Sequence, residues 1–133
     1  MHKYGAHGCT DITGFGILGH AENLVRIQQS SVLFHIHTLP CLAGACQLSS
    51  LLDDRFKLFS GLSPETSGGL LVALPAKSAE TFCRELTEID GNPAWIIGEA
   101  LTSTERKVIL AEKPVILEVN HCDVPQSAVC CEN

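Results

Sequence analysis

One short segment of the chain carries a carboxylate and two hydroxyls directly before a glycine-rich stretch. Thr10, Asp11 and Thr13 precede or adjoin the sequence GFGILG at positions 14–19, which matches the pattern G-x-G-x-x-G. Backbone N–H groups at a helix N-terminus attract phosphate, and the threonine hydroxyls could add donors. Asp11 would repel a bare phosphate, but Mg²⁺ is typically held by one or two carboxylates together with phosphate oxygens. The segment is therefore a candidate site for a magnesium-bound phosphate.

Two other interpretations of this segment make different demands on the chain. A dinucleotide site needs a strand before the glycines and an acidic residue about 20 positions later. Residues 7–13 are not typical of a strand and positions 36–41 contain no acid, so we do not expect a dinucleotide site. Asp11 and Thr13 could instead only cap the following helix, while the glycines permit close packing. The residues alone leave this capping interpretation open.

A pair of histidines offers a second, weaker candidate for chemistry. His35 and His37 are two positions apart, so they would share one face of a strand. This spacing could ligate zinc, but no third ligand is identifiable. Leu33 would lie on the same face, which favours partly buried packing over a metal site.

The cysteines indicate a reducing compartment. There are seven, an odd number, and no Cys-x-x-C pair supplies the framework of a structural zinc site. With no apolar leader, we expect free thiols and a cytoplasmic location. Cys130 and Cys131 belong to a polar tail, where we expect exposure to oxidation.

The elements that must position these residues alternate between helices and strands. We expect a first helix from Gly14 to about Gln29, with Thr13 as its N-cap and an apolar stripe facing the core. Pro40 should begin a second helix, and a third, including residues 79–86, should end before Gly91. Strands are predicted over 32–37, 94–101, 107–111 and 115–119, with 70–74 a strand covered on both faces. This pattern predicts an α+β fold in which helices pack on a mixed sheet.

Composition limits the partners. Nine basic against fifteen acidic residues give a net charge of −6, which disfavours capture of nucleic acid or an anionic membrane. A bilayer span needs about 20 apolar residues, far more than any run here. Apolar residues are 45% of the chain, enough for a single core. We expect one domain over residues 1–119 and a flexible tail over 120–133.

Three segments give the chain a family resemblance. CTDITGFGILGHA at 9–21, PETSGGLL at 64–71 and AWIIG at 94–98 resemble the selenophosphate synthetase (selenide, water dikinase) family. The Thr-Ser-Gly-Gly stretch marks only the wider aminoimidazole ribonucleotide synthetase-like superfamily. The likeness extends from residue 1 to about 119 and corresponds to the family's C-terminal α+β domain.

The resemblance implies an enzyme that makes selenophosphate, AMP and phosphate from selenide, ATP and water, for selenocysteine synthesis. ATP would bind between two domains, and the N-terminal domains would pair into a homodimer. Asp11 matches a family aspartate that binds Mg²⁺, and Thr10, Thr13 and Gly14 would lie near the phosphates. The resemblance also implies that Ser67, Gly68 and Gly69 form a structural turn in which backbones approach closely.

The family's catalytic lysine and its cysteine or selenocysteine lie in an N-terminal half that these residues do not include. The family domain also has about one helix more before Met1, so we expect a chain truncated at its N-terminus. We expect the isolated chain to be inactive and to self-associate through the face that the absent half would cover. The alternatives are a domain of another ATP-dependent enzyme of the superfamily, or a non-catalytic regulatory paralogue.

Overall fold

Two sheets and three helices make up residues 1–120, the part of the chain that the computed structural model describes. The strands are β1 (Gly8–Asp11), β2 (Val32–Leu42), β3 (Leu70–Ala73), β4 (Gly98–Thr102) and β5 (Lys107–Val119). The helices are α1 (Gly16–Arg26), α2 (Ala43–Leu51) and α3 (Ala76–Asp90), with a 3-10 turn at His2–Tyr4. β1 and β3 pair antiparallel, and β2 lies between antiparallel β4 and parallel β5. Helices packed on a mixed sheet confirm the predicted α+β class.

The core lies between α1 and the larger sheet. Ala21, Leu24 and Val25 are at most 3% exposed, and they pack against Phe34 and Ile36 of β2. Full burial of one such aliphatic side chain contributes about 1.5–3 kcal/mol. The predicted apolar stripe of the first helix is therefore confirmed, and this packing holds α1 against the larger sheet.

The predicted helix at Pro40 is wrong, because β2 continues through this residue to Leu42 and α2 begins only at Ala43. β4 pairs with β2 only as far as Ile36. The N–H groups of His37 and Thr38 still donate to the carbonyl of Ile97, and beyond Thr38 this edge of β2 has no strand partner among residues 1–120, so a residue without an N–H is tolerated there. Parallel pairing with β5, for example Pro40 opposite Leu117, keeps this part of the chain extended.

Four other predictions about the strands also differ from the structure. Residues 7–13 were not expected to include a strand, yet β1 forms there because it pairs with β3, with Asp11 opposite Leu70. The predicted strands 107–111 and 115–119 are one continuous strand, β5. β4 begins at Gly98 instead of 94. β3 is not covered on both faces, because Leu70 is 64% exposed.

Residues 121–133 lie outside the described residues. The tail predicted over 120–133 and the expected exposure of Cys130 and Cys131 therefore stay predictions. No helix among residues 1–120 is both long and apolar enough to cross a membrane.

Candidate functional site

Asp11 is exposed at the end of β1, where the chain turns toward α1. Alternate residues of this short strand face solvent, and Cys9 and Asp11 are the exposed ones. The hydroxyl of Thr10 donates to the carbonyl oxygen of Asp11 at 3.1 Å and lies 3.5 Å from its Oδ1. The carboxylate is therefore accessible to a cation and is linked to the adjacent hydroxyl.

Residues 11–15, which we call the site loop, are bound to the turn at 65–69. The N–H of Ile12 donates to the carbonyl of Gly69 at 3.0 Å, and the N–H of Gly68 donates back to the carbonyl of Ile12 at 3.1 Å. The N–H of Glu65 donates to the carbonyl of Thr13 at 3.0 Å. Two segments more than fifty positions apart thus form one unit.

The turn needs glycine at one of its positions. A Cβ on Gly68 would lie 2.3 Å from the carbonyl oxygen of Ile12, whereas a Cβ on Gly69 would meet nothing within 4 Å. The expected close approach of backbones in the Ser67–Gly69 turn is therefore confirmed at Gly68. This contact explains how the turn reaches the residue that follows Asp11.

Thr13 does not cap α1 as predicted. The residue before the helix is Phe15, and no side chain makes a capping hydrogen bond. Instead, the N–H of Thr13 donates to Nε2 of His20 at 3.0 Å, and the Thr13 hydroxyl lies 3.1 Å from the same nitrogen. His20, whose role the sequence did not reveal, is only 7% exposed.

The remaining amides of the site loop are available to a ligand. Among residues 1–120, the N–H groups of Gly14 and Phe15 have no hydrogen-bond acceptor. Both residues are exposed, and a Cβ on Gly14 would meet nothing within 4 Å. The loop therefore presents two adjacent backbone donors, three and four positions after Asp11, while the Thr13 amide is already occupied.

Glu65 brings a second carboxyl group to the loop from the distant turn, and sequence reasoning gave it no role. Its carboxylate folds over Gly68, because Oε2 would lie 2.5 Å from a Cβ at that position. Partial removal from water raises the pKa of Glu65. Only knowledge of the β1–β3 pairing could have placed this residue here.

The metal-binding capacity of the described residues is limited. No group of three or more histidine, cysteine, aspartate or glutamate side chains within residues 1–120 is arranged to hold a metal ion. His35 lies 3.4 Å from Glu99 and His37 lies 2.8 Å from the Thr38 hydroxyl, with the two rings 6.3 Å apart. The rings thus have other polar partners, and Asp11 can supply only part of a ligand set.

The fold agrees with the comparisons with known proteins. Residues 1–111 match the family model described as AIR synthase related protein, C-terminal domain. The chain belongs to this family, which bears out the resemblance found in the sequence.

The individual relatives have more specific names than the domain family. The chain is 46% identical over 125 residues to a selenide, water dikinase of Dictyostelium discoideum, an alignment that covers 90% of the chain. It is 51% identical over 102 residues to one of Trypanosoma brucei brucei, covering 76% of the chain. It is 44% identical over 122 residues to selenide, water dikinase 2 of Homo sapiens, covering 90%. The matched regions are only 34%, 26% and 27% of these relatives' lengths, so the chain spans about a third or less of each.

Proposed function

We propose that this chain forms the C-terminal domain of a selenide, water dikinase, in which the site loop binds magnesium-bound phosphates of ATP. The complete enzyme would make selenophosphate, AMP and phosphate from selenide, ATP and water, as a homodimer in the cytoplasm. The similarity to named dikinases supports the reaction. The observation that carries the role of the loop is that one exposed five-residue segment contains the Asp11 carboxylate and the amides of Gly14 and Phe15, which have no acceptor among residues 1–120.

The donors of the loop fit a hard cation. Carboxylate and hydroxyl oxygens are ligands that Mg²⁺ accepts, and it usually keeps further sites for water and phosphate oxygens. Asp11 would hold the ion, and the hydroxyl oxygen of Thr10, 3.5 Å from Oδ1 of Asp11, would lie close to it. The amides of Gly14 and Phe15 would donate to phosphate oxygens. When bound, Mg²⁺ would neutralise phosphate charge that Asp11 would otherwise repel.

The proposal requires a second domain. ATP carries about four negative charges, which need several cationic or metal partners, and Asp11 offers one carboxylate. A cavity of about 40 Å³ lined by Ile17, Leu58 and Glu65, among others, lies close to the loop. Ligand pockets commonly measure about 300–1,000 Å³, so this cavity could not enclose a nucleotide. The nucleotide would instead lie between the exposed loop and the preceding domain, which would supply the catalytic lysine, the cysteine or selenocysteine, and the other metal ligands.

The decisive experiment removes the carboxylate of Asp11 from the full-length protein and measures selenide-dependent AMP formation. We expect Asp11→Asn to reduce turnover by about a hundredfold or more, because metal stabilisation of phosphate charge contributes several kcal/mol. Asp53→Asn is the matched control, since Asp53 is exposed and its φ of 50° suits asparagine. Near-normal turnover of Asp11→Asn would refute the metal role.

Two further observations separate the alternatives. ATP-dependent phosphorylation without a selenide requirement would identify another enzyme of the superfamily, and loss of the upstream lysine and cysteine or selenocysteine would indicate a regulatory paralogue. Calorimetry should detect no binding of Mg-ATP to the isolated chain. Micromolar affinity there would contradict the need for a second domain.

A further inference from the structure

We infer that His20 is a positioning residue that fixes the site loop in the conformation that receives phosphate, an inference that rests on the function proposed above. His20 lies on the first turns of α1, seven positions after the residue it contacts. The geometry that supports this role concerns one peptide group, which joins Ile12 to Thr13 and is separated from Asp11 by the Asp11–Ile12 peptide.

This peptide group is held from both ends. Its carbonyl oxygen accepts from the N–H of Gly68 at 3.1 Å, and its N–H donates to Nε2 of His20 at 3.0 Å. Because a peptide group is planar, bonds at its opposite ends define the orientation of the whole plane. The plane in turn sets the direction in which the chain leaves Asp11 and enters Gly14.

The bond to His20 also defines the chemical state of the ring. A backbone N–H can only donate, so Nε2 must be the unprotonated, accepting nitrogen. The ring is buried, and the side chain of Phe15 packs beside it at a centroid distance of 5.6 Å. One imidazole therefore contacts two residues of the site loop, which leaves it little freedom to turn away.

The bond to His20 determines which backbone N–H groups of the site loop remain available to a phosphate. His20 occupies the amide of Thr13, so the donors that remain for a ligand are those of Gly14 and Phe15. Without the imidazole acceptor, the half-buried Thr13 N–H would need another partner, and the peptide plane could rotate toward solvent or the ligand. Such a rotation would change the path of the chain between Asp11 and the two donors, and with it their relative positions.

Three variants of the full-length enzyme test this role. Glutamine at position 20 places an amide oxygen near the position of Nε2, whereas asparagine carries the same group one methylene short. Leucine fills the space without any acceptor. We expect kcat/KM for Mg-ATP to fall about tenfold or more in His20→Asn and His20→Leu, and to stay within about threefold of wild type in His20→Gln.

The relative kcat/KM values of the three variants distinguish a positioning role of His20 from a role in packing alone. If His20 only filled space, His20→Leu would keep the most activity, because leucine is apolar and the site is buried. Retention of activity by leucine but not by glutamine would therefore overturn the inference. The melting temperature of each variant identifies any loss that comes from unfolding.

Hydrogen exchange in the same preparations gives a measurement that does not depend on activity. In a peptide spanning residues 11–16, the amide deuteron of Thr13 should exchange at least about tenfold faster in His20→Asn than in the wild type and His20→Gln. Equal exchange in wild type and His20→Asn would refute the hydrogen bond. Absence of selenide-dependent turnover in the wild type would instead refute the proposed function and leave the exchange result valid. The expected exchange order with unchanged kcat/KM in every variant would refute the positioning role alone.

Discussion

Replacing Gly68 by alanine should loosen the contact between the turn at 65–69 and the site loop. The added Cβ would lie 2.3 Å from the carbonyl oxygen of Ile12 and 2.5 Å from Oε2 of Glu65. The glutamate side chain can swing away, because it is flexible and exposed. The carbonyl cannot, because its peptide group is bonded to Gly68 at one end and to His20 at the other.

The size of the effect follows from these contacts. An ordinary contact of 3.4 Å would require the two backbones to separate by about 1 Å, which would weaken two backbone hydrogen bonds between Ile12 and the turn. Each bond contributes about 0.5–1.5 kcal/mol, and close packing against backbone adds to the loss. Alanine also reduces the conformational entropy of the unfolded chain, which offsets about 0.4–1 kcal/mol of this loss of stability. We expect a net loss of about 2 kcal/mol.

Gly69→Ala is the matched control one residue away. Its Cβ would meet nothing within 4 Å, and its φ is not positive, so we expect a change between zero and a gain of about 1 kcal/mol. Urea unfolding with reduced thiols, followed by the fluorescence of the single tryptophan, measures both variants. Free energies of unfolding within about 0.5 kcal/mol of each other would refute the close-contact argument.

Three other predictions concern different parts of the fold. Gly16→Ala should cost about 3 kcal/mol or more in urea unfolding, because φ is +67° and the Cβ would lie 2.7 Å from the carbonyl carbon of Leu62; an effect no larger than that of Gly44→Ala, which has open space, would contradict this. Burial raises the pKa of Cys41 from 9.0 to about 12. The stability that its neutral thiol contributes is therefore complete below about pH 9 and falls by about 1.4 kcal/mol per pH unit toward pH 12. In urea unfolding, the free energy of unfolding should fall less between pH 9 and 11 for Cys41→Ala than for the wild type. If it falls equally with pH in both proteins, the Cys41 thiol is not the cause of the loss. The isolated chain should self-associate through apolar side chains such as Leu51, which is 81% exposed; sedimentation should show Leu51→Glu shifted toward monomer, and a monodisperse wild-type monomer at high concentration would argue against it.

Sequence periodicity predicted the parts of the fold that depend on local burial. The apolar stripe of α1 and the glycine after α3 are local signals, and both elements lie close to the predicted positions. β1 was missed because four residues with no strong alternation become a strand only by pairing with β3. Pro40 was misleading because a proline at the start of a helix and one on an unpaired strand edge are not distinguishable locally.

The candidate site likewise contains residues that the local sequence predicted and residues that depend on distant contacts. Asp11 and Gly14 are only three positions apart, so the residue types and their order alone predicted a carboxylate close in sequence to backbone donors. Glu65 reaches the loop only through the turn before β3, and a local sequence pattern cannot predict contact between residues so far apart in the chain. His20 was within seven positions of Thr13, yet its role depended on α1 beginning at Gly16 instead of Gly14.

Two of the three motifs that give the chain its family resemblance are joined at the Ile12–Thr13 peptide group. The first motif supplies that peptide and the imidazole that accepts from its N–H, and the second supplies the N–H of Gly68 that donates to its carbonyl. A buried peptide group bonded at both ends resists rotation more than an exposed loop would. The proposed function needs such resistance, because Asp11 would hold a metal ion and the two amides would bind its phosphate, and a flexible loop would lose conformational entropy each time it bound them. In that proposal, the glycine turn and the buried histidine both act by holding the loop that carries Asp11.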